Sequence, residues 1–425
     1  MSTLSQFSLK FRDRSFVPLL QGGMGVNIST AELALAVARC GGIGHISDAM
    51  SPHVHDLEFG SKLQNEKLQK FRDYQNKFPK PGLSWDTSVV REANRRYVAQ
   101  TMQRRQGDGA IFINIMEKLT MGAPDETIKA RLYGALDGGI DGITPSASLH
   151  IGTLPLIADH PRFKEVLIGI IVSSARALKV FLRTAKRVGR LPDYVIVEGP
   201  LAGGHLGFGL DWPEHSLETI TSEVIKLLRE SSLGIPVIPA GGIFTGEDAA
   251  LVLESGAAAV QVATRFTISK ESGLPSNVKQ KYITSHEEDV VVNMTSPTGY
   301  PMRMLKSSPS MTSNIRPNCE ALGYILDGKG ACQYHDAYEQ TGVDEKGRKL
   351  PVTDKMCICY HFMKFNCYTC GHNVFRLKDT TYKLSESEFY LPDAEEIFSS
   401  YLDGSEIIAP SREAVSEVFA GPVAS

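Results

Sequence analysis

Short apolar runs alternate with segments of helical spacing from Phe16 to Thr264. Val17–Gln21 reads as a strand, stopped by Gly22-Gly23-Met24-Gly25. Ser29 or Thr30 then suits an N-cap for an alanine-rich helix over Ala31–Arg39, closed by Gly41-Gly42. Further strands are predicted at Ile43–Ser47, Ala110–Asn114, Gly139–Thr144, Val166–Val172, Tyr194–Val197, Ile235–Pro239 and Ala258–Val262. Helical patterns fall between them at Asp125–Leu136, Ala175–Val188, Ser216–Ser231 and Gly246–Ser255. Residues 51–108 are charged and aromatic, with helical spacing over Leu57–Phe78 and Thr87–Arg105, and read as an insertion.

Eight strands separated by helices over about 250 residues suit a (β/α)8 TIM barrel of the α/β class. A doubly wound open sheet is the competing architecture. The barrel is preferred because no early strand carries a well-placed G-x-G-x-x-G turn, and polar or glycine-rich features recur at many strand ends. The expected division is a barrel over 1–270, with the insertion at 51–108, and a C-terminal extension over 271–425 that packs on or caps it. In that extension Asn318–Thr380 is rich in cysteine, glycine and aromatics without a clear period. Asp393–Tyr401 reads as a final helix and the last dozen residues as a loose tail.

Composition narrows the function classes. With 425 residues and a formal net charge of −3, nothing suggests a nucleic-acid partner. No run of eighteen uncharged apolar residues points to a membrane span, and the polar start Met1–Lys10 does not resemble a secretory signal. A cytoplasmic protein acting on a small molecule is expected, with a homo-oligomer left open. The seven cysteines are an odd number, which argues against a closed disulfide framework.

Chemistry concentrates at strand ends. Val195-Ile196-Val197-Glu198 runs into Gly199-Pro200-Leu201-Ala202-Gly203-Gly204-His205-Leu206-Gly207. Glycines there let backbone approach a flat ligand, and a histidine titrates near neutrality. Pro239-Ala240-Gly241-Gly242 and Gln261-Val262-Ala263-Thr264 end two adjacent strands in small residues ahead of helices, a setting that suits a phosphate. Tight βα turns alone would also use those glycines. His45 could face a pocket or be a hydrogen-bonded structural residue, and His150 is a weaker candidate. Ser296–Met302 could close over a ligand or be a surface turn. Cys357-x-Cys359 and Cys367-x-x-Cys370, with His361 and His372, could hold zinc or an iron–sulfur cluster, or be buried thiols packed as small hydrophobes. No metal ligand is assigned.

Four stretches resemble the nitronate monooxygenase (formerly 2-nitropropane dioxygenase) family of FMN-dependent barrels: Gln21–Gly44, Phe112–Asn114, Glu198–Gly207 and Pro239–Phe266. The resemblance covers about the first 270 residues. It implies FMN across the strand ends, with Gly241, Gly242, Gln261, Val262, Ala263 and Thr264 around its phosphate. Gly22, Gly23 and Met24 would line the ring system, Asn114 would hydrogen-bond it, and Gly203 and Gly204 would pass close by. His205 matches the family's catalytic histidine. One departure is near the fifth strand, where the family often places a lysine. Here the run is Val172-Ser173-Ser174-Ala175-Arg176, and Ser173, Ser174, Arg176 or Lys179 could supply the contact. NAD(P)H-dependent reduction of a quinone or an enoyl thioester, and a non-redox barrel binding a phosphorylated metabolite, stand as alternatives.

Overall fold

The structure is a computed structural model, and it describes residues 3–70, 72–74, 86–116, 119–120, 124–147, 149, 151–317, 319, 324–325, 331–405 and 408. His150 and the C-terminal tail expected beyond residue 413 lie outside the described residues.

Eight parallel strands close into a barrel. They are β1 (Leu19–Gln21), β2 (Ile43–Ser47), β3 (Ala110–Met116), β4 (Gly142–Ser146), β5 (Leu167–Val172), β6 (Tyr194–Glu198), β7 (Val237–Ala240) and β8 (Val260–Val262). Closure comes from β8 beside β1, with Gln261 opposite Leu20. Each strand sits where the apolar runs place it, with ends shifted by a few residues. The largest shift is at β4, which starts at Gly142 because Gly138 and Gly139 end the preceding helix in a tight turn.

The wall is built from α1 (Ala31–Arg39), α2 (Ser88–Gln103), α3 (Pro124–Asp137), α4 (Ala175–Val188), α5 (Leu217–Glu230), α6 (Gly246–Glu254) and α7 (Ala394–Asp403). Side-chain caps start most of them: Thr30 for α1, Ser174 for α4, Ser216 for α5, and Thr245 with Asp248 as a capping box for α6. The expected insertion contributes the helices Ser51–Phe59 and Leu63–Lys70 before α2. The last helix, α7, packs against α1 and α6, burying Ala394, Ile397, Phe398 and Tyr401 with Leu33, Val37, Ala249 and Leu253. It takes the place of the wall helix that follows β8. Residues 271–391 are thus a long excursion between β8 and its helix.

Alternation along the strands sorts side chains between lumen and wall. Leu20, Ile43, Phe112, Tyr194, Ile196, Ile238 and Ala240 form one cluster in the lumen, while Ile113, Val195 and Val197 pack outward under the helices. An N-terminal hairpin, Leu9–Phe11 with Arg14–Phe16, adds Phe11 to the lumen cluster, 5.5 Å from the Tyr194 ring. Arg12 and Arg14 anchor that hairpin to carbonyls just ahead of β5 and β3, so it plugs the N-terminal end of the barrel. The lumen also holds a polar chain. His45 Nδ1 lies 2.7 Å from Gln21 O and Nε2 2.8 Å from Thr144 Oγ1, which meets Tyr194 OH at 2.7 Å.

The excursion after β8 carries β9 (Val290–Asn293) and β10 (Met302–Leu305), an antiparallel pair. A two-residue strand, Gly204–His205, adds to β10 with Gly204 opposite Arg303 and His205 opposite Met302. The glycine loop after β6 is therefore one edge of a small sheet over the barrel mouth.

Candidate active site at the barrel mouth

A cavity of about 440 Å³ opens at the C-terminal ends of the strands, the end where sites in this architecture collect. All thirteen residues that the resemblance assigns to cofactor and catalysis line it: Gly22, Gly23, Met24, Asn114, Gly203, Gly204, His205, Gly241, Gly242, Gln261, Val262, Ala263 and Thr264. His45 does not. It is fully buried in the lumen, and burial holds its imidazole down to about 4.

Local chemistry explains why each loop takes its shape. Gln21 is buried below the first turn, where its Nε2 donates to Ser29 Oγ (2.7 Å) and its Oε1 accepts from the His45 N–H (2.9 Å). Ser29 Oγ in turn accepts from Met24 N and donates to Gly22 O, which fixes Gly22-Gly23-Met24 against the strand end. A side chain at Gly23 would run into the Cβ of Asn114. Asn114 itself accepts from Ser146 Oγ at 2.8 Å, leaving Nδ2 without a protein acceptor among the described residues.

The glycine loop after β6 is braced from behind. Arg303 on β10 is fully buried, and its Nη1 donates to Pro200 O (2.8 Å) and to Ala202 O. Its guanidinium carbon sits 4.3 Å from the centre of the Trp212 ring. Nε and Nη2 find no acceptor among the described residues, and desolvation lowers the guanidinium to about 10. On the other side, a Cβ on Gly203 would come within 2.6 Å of the Cys370 backbone. His372 N donates to Leu201 O, and Asn373 Nδ2 to Gly242 O.

His205 follows this brace. Its Nε2 lies 2.7 Å from Ser296 Oγ, and Ser296 Oγ lies 2.8 Å from Thr298 Oγ1. Its other ring nitrogen has no protein partner among the described residues. Burial lowers the imidazole to about 4, so it is neutral at pH 7. The Ser-Pro-Thr-Gly loop is thus part of the site: Ser296 is buried, and Thr298 and Tyr300 line the cavity.

The ends of β7 and β8 behave differently from the rest. Gly241 and Gly242 have φ of +94° and +97°, a conformation glycine adopts freely. A Cβ on Gly241 would approach Ala202 N to 2.9 Å. The Gly241 N–H faces Gln261 in the β7–β8 ladder, while the backbone N–H groups of Gly242, Ala263 and Thr264 donate to no protein acceptor among the described residues. The first turn of α6 is closed by its own capping box, with Asp248 accepting from Phe244 N and Thr245 N.

Four contributions were not read from the sequence. Glu198 ends β6 and lines the cavity, and burial alone pushes its carboxyl up to about 7. Arg303, Phe362 and the run Thr369-Cys370-Gly371 come from the excursion after β8. The strand-end position of Glu198 was a usable signal; the aperiodic cysteine-rich stretch offered none. Near the fifth strand, Ser173 lines the cavity and donates to Gly207 O at 3.1 Å, and Ser174 caps α4. Arg176 and Lys179 are exposed on α4 and do not line it. No group of three or more His, Cys, Asp or Glu side chains among the described residues is placed to hold a metal. Cys357 and Cys367 pack within apolar clusters as free thiols.

Comparison with known proteins follows the same loops. Residues 146–347, from the last residue of β4 through much of the excursion, match the family model described as nitronate monooxygenase. Over those residues the chain is similar to that family. A probable nitronate monooxygenase of Staphylococcus saprophyticus is 24% identical over 293 residues, covering 68% of this chain and 76% of that one. A (3aS,4S,5R,7aS)-5-hydroxy-7a-methyl-1-oxo-octahydro-1H-indene-4-carboxyl-CoA dehydrogenase of Rhodococcus jostii is 34% identical over 142 residues, 33% of this chain. The chain spans only 36% of that relative's length, and 39% of its Mycobacterium tuberculosis counterpart. Among solved structures, FabK from Thermotoga maritima is similar at a TM-score of 0.53 and 20% identity, covering 94% of both chains. Nitroalkane oxidase from Streptomyces ansochromogenes is similar at 0.52 and 18%, covering 94% of this chain and 97% of that one. At these identities the two structures speak to the fold of the domain. Among the described residues no helix is long and apolar enough to cross a membrane.

Proposed function

We propose that this chain is a cytoplasmic FMN-dependent oxidoreductase that oxidises small alkyl nitronates with O2, with no nucleic-acid or membrane partner. The observation that carries the reading is the convergence of all thirteen residues on one cavity at the strand ends. Its volume falls in the range of about 300–1,000 Å³ usual for cofactor and small-molecule sites.

The residues present fit a phosphorylated flavin. Three backbone N–H groups without protein acceptors among the described residues, at Gly242, Ala263 and Thr264, form a cradle that a phosphate would satisfy. Among the described residues no lysine or arginine lines the cavity, so backbone dipoles would hold the phosphate. Gly22, Gly23, Met24, Gly203 and Gly204 leave room for a flat ring system, and the free Nδ2 of Asn114 could donate to it. When bound, FMN supplies the electron acceptor and the centre that O2 reoxidises.

The protein's part is orientation and proton handling. His205 is neutral in the resting site, and its hydroxyl chain allows either tautomer. With Ser296 donating to Nε2, the proton sits on Nδ1, which can donate to an anionic nitronate oxygen. With Nε2 donating to Ser296, Nδ1 is an acceptor that could take the α-carbon proton of a neutral nitroalkane and so generate the nitronate in the site. Arg303 fixes the loop that aims this ring, and Thr298 and Tyr300 cover the mouth.

The test is an anaerobic absorbance spectrum of the FMN-loaded protein. An alkyl nitronate should bleach the flavin without NADH. Rapid bleaching by NADH or NADPH, with no response to nitronate, would instead favour a pyridine-nucleotide-dependent reductase.

A further inference from the structure

Among the described residues, no lysine or arginine side chain lines the cavity. Of the described side chains that line it, Glu198, His205, Tyr300 and Cys370 can titrate. His205 is neutral near pH 7, and burial holds the Cys370 thiol well above its ordinary range. Arg303 does not line the cavity, and its Nη1 is committed to the carbonyls of Pro200 and Ala202.

Glu198 occupies a defined place in this uncharged setting. Alternation along β6 sends Tyr194 and Ile196 into the lumen and Val195 and Val197 to the wall, so Glu198 falls on the lumen side as the top step of the strand. Its register partner on β7 is Ala240, Val172 of β5 lies opposite Val197, and α5 presents Leu217 to Gly199. None of these titrates. The carboxyl makes no hydrogen bond or ion pair within the protein among the described residues, so nothing holds it in either protonation state. A carboxyl in that environment resists ionisation but stays within reach of neutral pH.

Electrons added to a ring in a low-dielectric cavity bring negative charge that must be balanced nearby. A lysine or arginine would do so permanently; among the described residues neither lines this cavity. Resting on the FMN reading above, we propose that Glu198 is the charge-compensating group of the site. It takes up one proton from solvent when the bound cofactor is reduced and returns it on reoxidation. The two electrons come from the oxidised substrate, the carboxylate gains one proton to become the neutral acid, and O2 removes the electrons as that proton leaves. Glu198 would therefore be protonated in both states below about pH 7, and would change state with the cofactor above it.

The experiment uses the FMN-loaded full chain, reduced anaerobically with dithionite against reference dyes from pH 6 to 9. In the wild-type protein the midpoint potential should fall more steeply with pH above about 7, by one proton per two electrons. In E198Q that extra proton should be missing, so the two plots part above neutrality. Parallel plots would overturn the role of Glu198. A reduction-induced infrared difference spectrum provides a second readout that does not depend on the variant folding. Wild-type protein at pH 8 should gain the C=O stretch of a protonated carboxyl on reduction, and its absence would also overturn the proposal. A protein that takes up no FMN would refute the cofactor reading itself. One that takes up FMN but shows neither signature would refute only the part given to Glu198.

Discussion

At the scale of single residues, His205 and Glu198 share a cavity, and burial pushes them in opposite directions. Desolvation disfavours charge in both, so the histidine is held down to about 4 and the carboxyl up to about 7. Near neutrality the site then carries little net charge until a ligand arrives, which suits an incoming anion. Substituting His205 by alanine removes a ring that lines the cavity, while leaving the backbone of the glycine loop pinned by Arg303. H205A should retain FMN binding and lose on the order of 10²–10⁴-fold in kcat/KM for a nitronate. Full turnover by the FMN-loaded variant would remove His205 from the chemistry. The histidine was legible because it follows a glycine run at a strand end. His45 had the same local signature but sits one level deeper. Alternation along a strand fixes which side a residue takes; it does not say how far up the barrel the cavity floor lies.

At the scale of elements, the glycine loop after β6 owes its shape to a strand about a hundred residues away. The β10 strand pairs with Gly204–His205, and Arg303 from that strand satisfies two loop carbonyls that would otherwise be buried and unpaired. Replacing Arg303 by methionine keeps much of the packing volume and removes the donors. R303M should lower unfolding free energy by about 1–3 kcal/mol in urea titrations, the cost of stranding buried carbonyls. It should also raise KM more than it lowers kcat. Unchanged stability would mean that water or a shift of the loop replaces the guanidinium. This partnership could not be read from the sequence. Nothing local to Met302-Arg303-Met304-Leu305 marks the arginine as buried; the loop carbonyls of Pro200 and Ala202 and the Trp212 ring that enclose it come from about a hundred residues away. The barrel strands and helices were readable for the opposite reason: their periodicity, caps and glycine stops are all local.

At the scale of the whole molecule, the chain leaves the barrel after β8 and comes back at α7, which packs between α1 and α6. The excursion supplies the cover of the site: the Ser296–Tyr300 loop, Phe362 and Thr369–Gly371. A reading of local pattern splits such a chain near residue 270, because the strand alternation stops there. It does not reveal that a helix some 120 residues later completes the wall. The N-terminal hairpin plug was missed for a related reason, being too short to show a period. What the strand ends did convey was the cavity, since glycine, asparagine and histidine at those positions serve close approach and hydrogen bonding more than packing. The central claim is that this cavity is built for one flavin. Titration of flavin-free protein with FMN, followed by quenching of flavin fluorescence, tests it most directly. The expected result is saturation at about one FMN per chain, weakened in G241V, whose added side chain would crowd Ala202 at a backbone conformation that suits glycine. Failure of folded wild-type protein to take up FMN would contradict it.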